Sequence, residues 1–137
     1  MILVDTGPLV ALFDPRDRLH ERCRRILRSL TAPIFTTIPV LTEVFHILSP
    51  NSIGSERVRD LTAQGGMRVW HYDDSAVERS FQLMDQYADH PMDLADASLI
   101  TAAERLGTRR IFTVDRRDFA AYRILRGHRH QPVEIVF

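Results

Sequence analysis

Apolar positions along the chain alternate between two periods, and the switches mark out its elements. Residues 1–5 (M-I-L-V-D) form a continuous apolar run closed by an acid, the pattern of a buried parallel strand. Thr6 is the candidate N-cap of the next helix, with Pro8 in its first turn. A D-P-R-D turn at 14–17 intervenes before a helix through about Leu30, with Leu19, Cys23, Ile26, Leu27 and Leu30 at helical spacing. Ile34–Thr37 reads as a second strand, and Pro39 opens a helix carrying Val40, Leu41, Val44, Phe45 and Leu48. After a loop at 49–54 come a helix near Glu56–Gln64, a strand at Met67–Tyr72 and a helix at Asp73–Asp89. His90-Pro91 breaks that helix. Asp93–Leu106 is the next, stopped by Gly107. Arg110–Val114 is a strand, Asp118–Tyr122 a short helical turn, Arg126–Gln131 a polar loop, and Val133–Phe137 a last strand at an edge. Strands alternating with helices predict an α/β fold: a mainly parallel central sheet sandwiched between helices, with Ile2–Asp5 central. No repeat or linker divides the chain, so residues 1–137 are expected to form one domain.

Composition narrows the chemistry mainly by what it lacks. All 18 basic residues are arginine, so a Walker A phosphate loop and a Schiff-base lysine are excluded. Net charge is zero, which gives no global attraction to nucleic acid, although arginine's planar fork suits bidentate phosphate contacts. No run approaches the roughly 18–20 apolar residues of a membrane span. The first residues meet an acid at once and lack the basic start of a signal peptide, and Cys23 has no partner for an internal disulfide. A cytoplasmic protein is the expectation.

Four acids stand where chemistry would be expected. Asp5 and Asp115 each follow an apolar β-rich run, and ligands of open α/β sheets gather at the carboxyl ends of strands. Either could simply cap a helix or turn. Glu43 sits beside the apolar stripe of its helix, where an unpaired carboxylate is costly. Asp96 shares a helical face with Leu99, Ile100 and Ala103. Carboxylates gathered at one place repel one another unless a cation neutralises them. Hard cations such as Mg²⁺ do so through oxygen ligands and then bind phosphate, which points to metal-assisted phosphodiester cleavage. Histidines 71, 128 and 130 lack cysteine partners at zinc-site spacing and read as solvated.

The segments V-D-T, L-T-E-V, D-A-S-L-I-T-A-A-E-R-L-G and I-F-T-V-D-R-R-D-F occur in an order that resembles PIN-domain ribonucleases, most closely VapC-type toxins of toxin–antitoxin pairs. The resemblance spans essentially the whole chain. It implies that Asp5, Glu43, Asp96 and Asp115 are catalytic and metal-binding, with Asp5 and Asp96 the first choice as direct ligands of one or two Mg²⁺ or Mn²⁺ ions. Thr6 would be their polar neighbour. Asp118 would support the quartet or be structural, and Asp93 would be an additional acid or a helix cap. Arg116 and Arg117 could meet RNA at the rim. The implied partners are an RNA substrate, a small cognate antitoxin and a second copy in a homodimer, with no membrane. The apolar positions Leu9, Leu12, Phe13, Val44, Phe45 and Leu48 are expected to contribute to the antitoxin groove. Three other readings stand beside this one, among them a DNA or structure-specific nuclease, which would normally carry extra acids and insertions that this compact chain lacks. A catalytically inactive PIN-like interaction module would need no metal. A haloacid-dehalogenase-like phosphatase would need a second Asp where Gly7 stands.

Overall fold

The computed structural model describes residues 1–137. In chain order its elements are β1 (Ile2–Val4), α1 (Thr6–Phe13), α2 (His20–Ser29), β2 (Ile34–Thr36), α3 (Ile38–Leu48), α4 (Ile53–Ala63) and β3 (Arg68–Val69). Then follow α5 (Asp74–Gln86), α6 (Leu94–Leu106), β4 (Arg110–Phe112), α7 (Arg116–Ala121), β5 (Arg123–Arg126), β6 (Arg129–Pro132) and β7 (Glu134–Ile135). Five strands form a parallel sheet in the order β3-β2-β1-β4-β7. β1 is therefore central and β7 is at an edge, as the apolar runs predict.

Burial explains that order. Ile2, Leu3 and Val4 are inaccessible to solvent, as are Ile111 and Phe112 of the neighbouring β4. A strand with no polar face can only sit inside a sheet covered on both sides. β1 leads to β2 on one flank while β4 pairs on the other. The strand order thus reverses between β1 and β4, and the carboxyl ends of these two strands frame a crevice at that switch point. Helix α6 is buried over most of its surface, from Ala95 through Ala97–Ala103. It packs on α5, α3 and β5. Its small residues allow that close approach. Thr37 and Ser98 share a buried hydroxyl hydrogen bond of 2.6 Å that ties the start of α3 to α6.

Three expectations from the sequence need correction. The N-cap of α1 is Asp5, whose side chain accepts from the Thr6 N–H; Thr6 is already helical. Arg126–Gln131 is not a loop. It belongs to an antiparallel β5–β6 hairpin that turns tightly at Gly127, where φ is +61°. Finally, Leu9, Leu12 and Val44 lie in the hydrophobic core, leaving Phe13, Phe45 and Leu48 only half-buried at its margin. Those three core residues are consumed by packing and offer nothing to a partner.

Candidate active site

Asp5 is held rigidly at the carboxyl end of β1. Its N–H donates to the Phe112 carbonyl, extending the β1–β4 ladder by one residue. One carboxylate oxygen accepts from the Thr6 N–H at 2.7 Å and the other from the Thr113 hydroxyl at 2.7 Å. Asp5 is only 7% exposed, and burial outweighs those two hydrogen bonds, raising its pKa to about 6. Glu43 and Asp93 add repulsion. Glu43 is anchored from α3 by the Thr6 hydroxyl, which donates to Oε2 at 2.7 Å. The side chain of Thr6 therefore links the acids on two elements, while its N–H serves Asp5.

Asp96, in the first turn of α6, faces the same crevice. Its carboxyl is pushed up to about 8, first by burial and then by the charges of Asp93 and Asp5. Asp93 is the N-cap of α6 and accepts from the Asp96 N–H at 2.8 Å. The cap reading for Asp93 is thus correct, and its negative charge is nevertheless felt at Asp5 and Asp96. None of the arginines forms an ion pair with Asp5, Glu43, Asp93 or Asp96; every ion pair in the molecule lies elsewhere. The crevice holds several carboxylates and no countercharge.

Asp115 is placed differently. Its side chain caps α7 by accepting from the Asp118 N–H at 3.0 Å, and it is exposed to solvent. Its link to the crevice runs through its backbone: the Asp115 N–H donates to Thr113, whose hydroxyl donates to Asp5. Asp118 pairs with His90 at 2.9 Å. Arg116 is occupied by the Phe137 carbonyl and ring, whereas Arg117 is exposed beside it.

Two site residues escaped the sequence reading. Tyr122 is wholly buried, and its hydroxyl donates to Asp96 Oδ2 at 2.9 Å. Edge-on contacts with Tyr87, His90 and Phe119 fix the ring. Burial and the adjacent Asp96 carboxylate raise its own pKa, so the hydroxyl remains a donor. Thr113 is the other. Its hydroxyl position, two residues before Asp115, was the available signal; nothing in the sequence marks Tyr122, which acts across 26 residues.

The donor chemistry fits a hard cation. The groups facing the crevice are carboxylate and hydroxyl oxygens, the ligand class of Mg²⁺ and Mn²⁺. No three His, Cys, Asp or Glu side chains stand as a ready-made ligand cluster. Mg²⁺ needs none, because it commonly keeps several waters and uses one or two carboxylates. Burial and neighbouring acids raise the carboxyls of Asp5 and Asp96, a cost that a bound cation would relieve. A cleft of about 400 Å³ adjoins Glu43, lined also by Ile38, Pro39, Thr42, Tyr72 and Leu94.

Comparison with known proteins gives an independent view. A family model described as PIN domain matches residues 2–125. Ribonuclease VapC26 of Mycobacterium tuberculosis is 27% identical over 131 residues, covering 93% of this chain and 96% of that protein. Among solved structures, M. tuberculosis VapC20, described as a sarcin-ricin-loop-cleaving toxin, superposes with a TM-score of 0.81 at 20% identity. That match covers 88% of this chain and 95% of the other. A toxin–antitoxin complex from Klebsiella pneumoniae matches with a TM-score of 0.68 at 21% identity, over 88% of this chain and 92% of its own. At such identities these structures speak for the fold.

Proposed function

The chain belongs to the PIN-domain family, and from that premise we propose that it is a metal-dependent endoribonuclease, the toxin of a VapBC-type pair. The observation that carries this reading is the uncompensated acidic crevice at the β1–β4 switch point, with Asp5 and Asp96 both raised first by burial and then by the charges of neighbouring acids. The ribonuclease relative adds support. Asp5 and Asp96 would hold one or two Mg²⁺ or Mn²⁺ ions. Glu43, fixed by Thr6, would ligate through water or orient the attacking water. Asp115 stands at the rim and would join when RNA brings its phosphate into the crevice. The chemistry such an ion supplies is a lowered pKa for water and charge neutralisation on the phosphoryl group. No side-chain nucleophile is required, and the hydroxyls at the crevice, those of Thr6, Thr113 and Tyr122, each donate to one of its acids.

The residues themselves do the positioning. Thr113 and the Thr6 N–H hold both Asp5 oxygens, and Tyr122 holds one oxygen of Asp96. A fixed carboxylate pair spares the reorganisation cost of assembling the site as charge develops. Arg117, exposed beside Asp115, would meet RNA phosphate at the rim.

The same proposal includes a cytoplasmic setting, a homodimer and a small antitoxin. No helix is long and apolar enough to cross a membrane. Ile38 and Leu94 are exposed at the cleft beside Glu43, and an apolar antitoxin segment carrying one basic side chain would cover them and neutralise the acids. Light scattering tests the dimer: a monomer at concentrations of tens of micromolar rejects it. Cleavage of a structured RNA by the purified protein with Mn²⁺ tests the activity. Cleavage that stops in excess EDTA and in Asp5→Asn supports the reading. A folded protein that never cleaves RNA would instead favour a PIN-like interaction module.

A further inference from the structure

The β5–β6 hairpin carries positive charge that the protein itself does not neutralise. From Phe119 to Val133 the chain has three arginines, two histidines and no Asp or Glu. Arg126 and Arg129 face each other across the two strands and are both exposed. Like charges directly opposed on a ladder weaken its pairing, so the arrangement works against the hairpin that contains it. The nearby acids are already engaged. Glu104 takes Arg79 through both oxygens and also accepts from the Leu125 N–H, while Glu134 pairs with Arg110. Arg126 reaches over Gly107, where the negative end of α6 offsets part of its charge. The side chain of Arg129 makes no ion pair.

The hairpin is also aligned with the acidic crevice. Tyr122, the residue immediately before β5, bonds Asp96 near the start of α6. β5 then runs along that helix, with Leu125 at Glu104 and Arg126 at Gly107. From Asp96 to Gly107 is about 16 Å of helix at ~1.5 Å per residue. Arg126 on β5 and Arg129 opposite it on β6 are thus both exposed on a hairpin whose first strand is rooted in the crevice. An acidic protein laid along the same path would meet Asp93, Asp96 and Asp5 and be repelled. RNA meets them as well, but a cation at the crevice would bridge its phosphates to those acids. Arginine's bidentate fork suits phosphate oxygens.

We propose that the β5–β6 hairpin is a binding surface for the RNA phosphodiester backbone, Arg126 and Arg129 each taking a phosphate while the scissile linkage lies at Asp5 and Asp96. The assignment of RNA rests on the ribonuclease reading above. It makes the hairpin a ruler for substrate length, since about 16 Å corresponds to roughly five steps at the ~3.4 Å rise of a duplex strand. A trinucleotide would reach the crevice and not the arginines.

The test is fluorescence anisotropy with a labelled RNA stem-loop in EDTA, comparing wild type, Arg126→Gln/Arg129→Gln and Arg126→Lys/Arg129→Lys across a salt series. Two lost phosphate contacts reduce the slope of log K against log salt by about 1.4–1.8. Between about 50 and 200 mM salt, wild-type affinity then falls roughly tenfold more than that of the glutamine variant. The lysine variant keeps the wild-type slope. An unchanged slope in a glutamine variant of wild-type melting temperature overturns the proposal, whether or not the protein cleaves RNA. Loss of binding to polyglutamate with RNA binding intact also overturns it, in favour of an acidic protein partner. A reduced slope in a protein without Mn²⁺-dependent cleavage leaves the hairpin assignment standing and removes the nuclease reading.

Discussion

Asp96→Asn should make the metal-free protein more stable while ending its chemistry. Asparagine keeps the shape of the carboxyl and an oxygen able to accept from Tyr122, but removes the charge. In the folded state Asp96 holds its proton up to about pH 8, against an ordinary value of 3.8. Between those values the folded protein binds more protons than the unfolded chain, so stability falls as pH rises. At pH 7 the full shift amounts to roughly 4 kcal/mol, at about 1.4 kcal/mol per pKa unit. Asp96 is partly exposed, and water and side-chain movement relieve some of this, so a gain of about 2 kcal/mol is expected. For a chain of this length that raises the melting temperature by about 7 °C. The gain should shrink as pH falls and vanish near pH 4, where the carboxyl is protonated in both states. Thermal melts of both proteins in EDTA from pH 4 to pH 8 make the measurement. A variant no more stable than wild type, or a gain that ignores pH, would show that the charge is already compensated and refute the account of the crevice.

Other residues give separate tests. Tyr122→Phe keeps the buried ring but frees Asp96 Oδ2, and should weaken Mn²⁺ affinity by about 10–100-fold, the usual effect of losing a group that orients a ligand; calorimetry reads it, and unchanged affinity removes Tyr122 from the site. Thr113→Val leaves Asp5 Oδ2 and the Asp115 N–H without their shared partner, and should cost about 1–3 kcal/mol by chemical denaturation. Gly7→Ala would put its Cβ 2.5 Å from the Val114 side chain, between the two strand ends that carry Asp5 and Asp115. It should cost about 1–3 kcal/mol through overpacking, and a melting temperature equal to wild type would show that the strand ends have slack.

Legibility from sequence followed the physics of each element. β1 and α6 were readable because burial leaves a strong mark: an unbroken apolar strand, and a helix whose apolar positions recur around Asp96. Asp96 itself stood out as a charge on that stripe. The hairpin was not readable, because Arg126–Gln131 is polar on both faces and gains its strand form only by pairing with β5, whose Ile124 is buried in the core. Sequence spacing could nominate Asp115, but not show that its carboxylate caps α7 while its backbone joins the Thr113–Asp5 chain. Tyr122 and the charge of Asp93 are long-range and electrostatic effects. They emerge only when α6, α7 and β5 are packed together.

On this reading Asp5 and Asp96 remain uncompensated until a divalent cation binds. Calorimetric titration of Mn²⁺ at pH 7, repeated in buffers of different ionisation enthalpy, measures both binding and the protons released. With Asp96 raised to about 8, it is still largely protonated at pH 7, so wild type should release close to one proton per ion bound. Release should disappear near pH 9, and Asp96→Asn should bind Mn²⁺ far more weakly without releasing that proton. Binding of equal strength in wild type and Asp96→Asn, with no protons released by either, would contradict the account.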